Sequence, residues 1–263
     1  MDILIYFCFG ILGLAVGSFL NLCSDRLPAE KSIAAPRSHC DRCGETLKPI
    51  DLVPVLSYLW LRGRCRNCGA RIPLRNLVVE IAAAAMYALL AWRFGLTLEL
   101  AAALVYGTVF LLVFVIDMEH RLILNVVIYP AMVVAFGFLF FWGGFAEYWP
   151  QTGPGIVLSG LLGAAVGYCF LLLPYAITRG RGMGYGDVRL AALIGLVTGF
   201  PLVVVALLVG IIGGGLVAVA LLMTRVVRSR KEAIPYGPFL AVGAMAALVW
   251  GDTIFRWWLG LGS

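Results

Sequence analysis

Residues 98–117 read Leu98-Glu99-Leu100-Ala101-Ala102-Ala103-Leu104-Val105-Tyr106-Gly107-Thr108-Val109-Phe110-Leu111-Leu112-Val113-Phe114-Val115-Ile116-Asp117. One charge, Glu99, stands at the far end, and the rest is apolar up to a terminal carboxylate. About 20 such residues in a helix span the roughly 30 Å of hydrocarbon in a bilayer. The run is continuous rather than alternating, which excludes a β-barrel strand and requires a helix that satisfies its own backbone. The pattern recurs along the chain. The sequence is 62% hydrophobic with a mean hydropathy of +0.97, whereas soluble domains run nearer half apolar. The expected fold class is all-α, a polytopic helical membrane protein with about eight transmembrane helices plus a small cytosolic zinc-binding insert.

The spans are expected near 3–23, 77–94, 98–116, 123–142, 155–178, 189–201, 202–224 and 236–259. The first lacks the positive start of a signal peptide, since only Asp2 precedes it. Within it, Gly13 and Gly17 form a G-x-x-x-G pair suited to close helix packing, and Asn21 near its end needs a polar partner. Gly199-Phe200-Pro201 divides what would otherwise be one helix of more than 30 residues from 189 to 224. Three segments follow: 1–23 as the first transmembrane helix, 24–76 as a cytosolic zinc-knuckle insert, and 77–263 as a transmembrane bundle.

Charge sets the orientation. The net charge of +6 reads as topology rather than as nucleic-acid binding. With 24–76 in the cytoplasm, eight spans put the connections near 117–122, 179–188 and 225–235 on the same side. Eighteen of the twenty Lys and Arg then lie there, with Arg93 and Arg256 opposite. The count also brings two carboxylates to one membrane face: Asp117, and Asp187 in Gly184-Tyr185-Gly186-Asp187. Carboxylates at that depth are expensive. An Asp after a flexible loop can be a helix cap, but two of them at one face suggest a paired acid site that activates water.

The insert carries Cys40-Asp41-Arg42-Cys43-Gly44 and Cys65-Arg66-Asn67-Cys68-Gly69, separated by 21 residues. Two C-x-x-C pairs, each followed by a glycine that lets the backbone turn, point to a metal site, zinc first and iron second. Four thiolates close the coordination sphere, so such an ion is structural. His39 is not needed as a ligand, and Cys8, Cys23 and Cys169 read as small apolar side chains. Pro49 to Trp60 is apolar but punctuated, fitting a short element at the interface. Arg75 and Glu80 lead into the second span. Glu80 is either a first-turn acid favoured by the helix dipole or a group facing a cytosolic cavity.

These residues together resemble the type IV prepilin peptidases, bifunctional leader peptidases and N-methyltransferases of the membrane aspartic Gly-x-Gly-Asp class. The resemblance runs through Gly17-Ser18-Phe19-Leu20-Asn21 with Arg26 and Pro28, both cysteine pairs, Pro54-Val55-Leu56-Ser57-Tyr58 and Val79-Glu80. It continues through Ile116-Asp117 to Asn125, Gly182-Met183-Gly184-Tyr185-Gly186-Asp187 and Ile234-Pro235-Tyr236-Gly237-Pro238-Phe239. Three positions depart from the family pattern: Leu124 for a proline, Arg75-Asn76-Leu77 for Arg-Tyr-Pro, and Cys40-Asp41-Arg42-Cys43 for Cys-Pro-x-Cys. The resemblance implies prepilin or pseudopilin substrates, cleavage of a short basic leader after a glycine, and methylation of the new terminus from S-adenosylmethionine. It implies Asp117 and Asp187 as the catalytic pair and a place in the bacterial cytoplasmic (inner) membrane with the site facing the cytosol. Gly184 and Gly186 would let the loop approach an extended substrate backbone, and Arg75 and Glu80 are candidates for a methyltransferase or substrate site. The expected partners are the pilins and the lipid bilayer, without nucleic acid. One alternative is a peptidase-only relative without methyltransferase activity, against which the cysteine-bearing insert argues without deciding; an ion-coupled transporter would place its acids near the midplane and show internal repeats, and neither is present.

Overall fold

The computed structural model describes residues 2–141, 145, 154–224 and 235–260. Among them the structure is helical: α1 Asp2–Arg26, α2 Leu56–Trp60, α3 Leu74–Phe94, α4 Leu98–His120, α5 Asn125–Phe141, α6 Pro154–Thr178, α7 Tyr185–Thr198, α8 Leu202–Met223 and α9 Gly237–Trp258. A 3-10 turn, Pro49–Leu52, precedes α2. No strand forms among the described residues beyond two isolated bridges in the cysteine segment, His39 with Thr46 and Arg64 with Arg71. The expectation of an all-helical membrane protein is met. By length and composition α1, α3, α4, α6, α8 and α9 can each cross a membrane, and α5 is a shorter apolar helix. The chain is a multi-pass membrane protein. Of the connection expected over 225–235, residues 225–234 lie outside the described residues.

Two compact units divide the chain, Met1–Leu100 and Ala101–Ser263. In the first, α1 packs along α3. The reason is the predicted glycine face: a Cβ on Gly13 would stand 2.6 Å from the Ala83 carbonyl oxygen, and one on Gly17 2.7 Å from the Glu80 Cα. Without side chains there, the two backbones touch, and van der Waals packing replaces the hydrophobic drive that lipid does not supply. Asn21 finds its partner at the end of this contact, with Nδ2 donating to the Asn76 carbonyl at 3.0 Å. The helix α3 begins at Leu74, one turn before the expected 77, and stops at Gly95, whose positive φ of 62° returns its N–H to the Ala91 carbonyl.

In the second unit α7 is the central element, packed against α5, α6, α8 and α9. Its residues from Asp187 to Thr198 are almost all buried. Gly163 and Gly195 bring α6 and α7 together, since a Cβ on either would overlap the other's backbone. The expected break after α7 is present. Gly199 takes a φ of 70° and donates to the Gly195 carbonyl, and the Ser159 hydroxyl of α6 donates to the Phe200 carbonyl at 3.0 Å. This hydrogen bond satisfies a backbone group that the interrupted helix leaves open.

Candidate functional site

Asp117 lies in the last turn of α4, which runs on to His120 rather than ending at 116. Asp187 is the third residue of α7, which starts at Tyr185, earlier than the expected 189. Both carboxylates are buried, 5% and 7% exposed. Asp187 is not an N-cap: its Oδ2 reaches back to accept the Gly184 N–H at 3.2 Å, the arrangement of an acid at the third helical position. Asp117 accepts the backbone N–H of Gly237 and lies in the field of the Arg121 guanidinium. The charge of Asp117 in turn acts on Asp187, so the two carboxylates form one electrostatic unit.

The distance in sequence is bridged by two glycines. A Cβ on Gly237 would stand 2.7 Å from Asp117 Oδ2, and one on Gly186 would stand 2.8 Å from the Ile123 Cβ. The turn between α4 and α5 therefore fits against the start of α7 through Ile123, and the start of α9 fits against Asp117. Gly184 is open by comparison: its nearest neighbour would be Asp187 Oδ2 at 3.6 Å, which leaves backbone space beside that carboxylate. The turn is further tied by Arg189, which donates to Asn125 Oδ1. The Arg189 guanidinium lies over the Tyr185 ring at 4.5 Å and the Tyr129 ring at 5.8 Å, and the Tyr185 and Tyr168 hydroxyls meet at 2.8 Å. Sequence reasoning found the aspartates and the two glycines of the loop. It assigned no role to Ile123, Arg189 or Gly237. For the last the only available signal was the motif Pro235-Tyr236-Gly237-Pro238, which carries no chemistry by itself.

The first unit holds the other predicted residues. Cys40, Cys43, Cys65 and Cys68 gather with their sulfurs within 4.8 Å of one another. The two halves are copies. Cys40 N–H donates to the Glu45 carbonyl and Cys65 N–H to that of Ala70, while Gly44 and Gly69 turn at φ 71° and 69° and donate to the Cys40 and Cys65 carbonyls. Backbone N–H groups of Cys43 and Arg42 stabilise the Cys40 thiolate and pull that thiol down to about 6. Cys40 Sγ and Cys68 Sγ are 3.8 Å apart. A tetrahedral zinc with Zn–S bonds of about 2.3 Å separates its sulfurs by about 3.8 Å, so the four-cysteine cluster can hold that ion. His39, not needed as a ligand, is exposed.

Glu80 falls in the second turn of α3 because that helix begins at Leu74, and the first-turn reading is thereby set aside. It is 8% exposed, accepts the Val55 N–H on Oε2 at 2.7 Å and the Ser18 hydroxyl, and lines a cavity of about 510 Å³. Arg75 donates to Asp25 Oδ1 at 2.7 Å and to Asn76 Oδ1. Asp25 and Asn76 are both in the wall of that cavity.

Residues 11–94 match the bacterial peptidase A24 N-terminal domain and residues 103–219 match the type IV leader peptidase family. A protein of Bacillus subtilis named prepilin leader peptidase/N-methyltransferase is 35% identical, over 95% of this chain and 96% of the relative. The chain belongs to the type IV leader peptidase family. Proteins of the same name from Pseudomonas aeruginosa and Aeromonas hydrophila are 33% and 32% identical, each covering 92% of the relative and at least 95% of this chain. No solved structure matches. Within this leader peptidase family chain, Asp117 falls inside the family match and Asp187 does too. Glu80 and the four cysteines fall inside the N-terminal domain match.

Proposed function

We propose that the chain is a membrane aspartic endopeptidase that removes the short basic leader of type IV prepilins or pseudopilins, and that it then N-methylates the new terminal residue with S-adenosylmethionine. The observation that carries the peptidase reading is the pair of buried carboxylates, Asp117 and Asp187, which act on one another electrostatically and are packed by the start of α9 and the turn between α4 and α5. One member, ionised, takes a proton from water as its oxygen attacks the scissile carbonyl carbon. The other, protonated, donates to the carbonyl oxygen and stabilises the charge developing there. Like charges so close do not both ionise easily in a desolvated site, which gives the pair its two roles. Collapse of the tetrahedral adduct returns a proton to the leaving amine. The open backbone at Gly184 beside Asp187 suits an extended substrate strand.

Cys40, Cys43, Cys65 and Cys68 would hold zinc as a closed, structural ion. Its thiolates supply no open position for chemistry, so it fixes the segment between α1 and α3. The excess of Lys and Arg in residues 24–76 and in the connection after α6 supports a cytosolic position for these segments and the catalytic pair at the bacterial inner membrane. The relatives' printed name carries the methyl-transfer half. The test is incubation of purified protein with a prepilin peptide, with and without S-adenosylmethionine. Mass spectrometry reads loss of the leader and gain of a methyl group separately; an intact peptide after incubation with correctly folded protein would refute the reading.

A further inference from the structure

The first turn of α7 is gripped on the side away from Asp187. We infer that Arg189 is a positioning residue for the catalytic pair: by tethering the start of α7 to the start of α5, it fixes the turn that carries Asp187 relative to Asp117. This rests on the peptidase half of the proposed function and adds to it a residue that acts through another.

Three observations point there. An arginine at a membrane face ordinarily lays its stem on apolar surface and extends its charged head into water. Arg189 instead turns back over the protein. Its guanidinium donates to Asn125 Oδ1 and lies over the Tyr185 ring at 4.5 Å and the Tyr129 ring at 5.8 Å. Asn125 is the first residue of α5, and Tyr129 stands one turn further along it. Holding so long a side chain in one place costs rotamer freedom, and a planar guanidinium that can stack and donate at once loses least by it.

The surface on which the guanidinium rests is itself anchored to α6. The Tyr185 hydroxyl meets that of Tyr168 at 2.8 Å, and the Tyr185 ring centroid is 5.3 Å from that of Tyr175. Tyr175 is backed by the turn that follows α6, where a Cβ on Gly180 would stand 3.2 Å from its Cε2.

Chain position supplies the link to the carboxylates. Tyr185 and Arg189 are four residues apart and share one face of α7, whereas Asp187, two residues from each, faces the other way. Asp187 Oδ2 accepts the Gly184 N–H, so the carboxylate moves with that turn. Asn125 follows Asp117 by eight residues, across the turn that holds Ile123. Ile123 meets Gly186 closely, since a Cβ there would lie 2.8 Å from its own Cβ. That contact sets how near the two elements come but resists their separation weakly, because lipid supplies no hydrophobic drive between helices. The bond from Arg189 to Asn125 is what opposes separation.

Full-length protein in detergent is assayed for leader cleavage of a prepilin peptide over a substrate range. Arg189→Met keeps an apolar stem and removes the tether, so kcat should fall about 10- to 100-fold while KM stays within about threefold. Asn125→Ala leaves the arginine and both rings in place and should show the same split; it decides the matter if Arg189→Met does not fold. The double variant should be at most about twofold worse than the worse single one, because both remove one contact. Arg189→Lys should return kcat to within about fivefold of the wild type, since an ammonium reaches the same amide oxygen. Binding of a peptide whose scissile amide is replaced by a secondary alcohol should weaken in the single variants by the factor that kcat falls, while binding of the released leader stays within about twofold. A merely structural role would weaken both. Arg181→Met, at an exposed arginine of the preceding connection, controls for lost positive charge and should leave kcat within about twofold. Wild-type kcat in Arg189→Met and Asn125→Ala overturns the tether alone, as does a loss carried by KM or an equal loss in Arg181→Met. Folded wild-type protein that leaves the prepilin peptide intact overturns the peptidase reading and the tether with it.

Discussion

Gly237→Ala tests the geometry of the paired carboxylates with a single methyl group. The glycine stands at the first position of α9, and its backbone N–H is bonded to Asp117. An added Cβ would lie 2.7 Å from Asp117 Oδ2, 3.2 Å from Asp117 Cγ and 3.2 Å from Ile123 Cδ1. Ordinary contact begins at 3.4 Å, so the carboxylate or the start of α9 must give by about 0.7 Å, the difference from 2.7 Å. The carboxylate cannot swing freely, because Arg121 and Asp187 act on it and Ile123 is wedged against Gly186. A misplacement of about 1 Å in a catalytic group costs on the order of 100-fold, and overpacking of this kind costs roughly 1–3 kcal/mol. The expected result is a fall in kcat of about 10- to 100-fold with KM little changed, since the Gly184 side of the site is untouched. Alanine is itself the better helix former, so Tm should fall only by a few degrees at most. Gly213→Ala is the control, because a Cβ there meets nothing within 4 Å. Leader cleavage of a prepilin peptide, followed by mass spectrometry over a substrate range, supplies both constants. A Gly237→Ala enzyme with wild-type kcat would show that Asp117 is not held where it reacts.

Asp117→Asn and Asp187→Asn should each reduce cleavage by several orders of magnitude, with the double variant little worse, because residues acting as a unit are not additive; methylation of an already cleaved peptide should survive in both, and loss of both activities in folded protein would mean a shared site. Purified protein should carry about one zinc per chain. Cys40→Ser should loosen the segment between α1 and α3, measured by proteolysis, and leave the helices inserted; active protein free of zinc and iron by elemental analysis would exclude the metal. Gly195→Val should separate α6 from α7 and destabilise the second unit, since even a Cβ overlaps the Gly163 backbone; an unchanged Tm would contradict that packing. A cysteine placed at the exposed Lys48 should react in intact cells only with a permeant reagent, and ready labelling from outside would reverse the orientation.

The sequence by itself determined the class of fold and the chemical inventory. Long uncharged runs must be helices because hydrocarbon offers backbone groups no other partner. Gly13 and Gly17 marked a contact face, and Gly199-Phe200-Pro201 marked a break, because each acts through the local backbone. The C-x-x-C-G repeats announced a four-cysteine cluster able to hold a metal for the same reason: two sulfurs and a turn are set within five residues. Asp117 and Asp187 stood out because a carboxylate in an apolar stretch is costly wherever the chain goes. What the sequence left open was everything that depends on side chains meeting from distant elements. Helix starts moved by a turn, which took Glu80 out of the first turn of α3 and put Asp187 inside α7. Whether Glu80 faced water or a cavity was decided by Val55, 25 residues away, and by Ser18 on another helix. Gly237 is 120 positions from Asp117, and no periodicity links them; only the packing of α9 in the second unit brings its N–H to that carboxylate. Local rules write a helix, a turn or a knuckle into a few neighbouring residues. The surroundings of a buried charge are a property of the assembled core, where a missing methyl group on one helix sets the space for an acid on another.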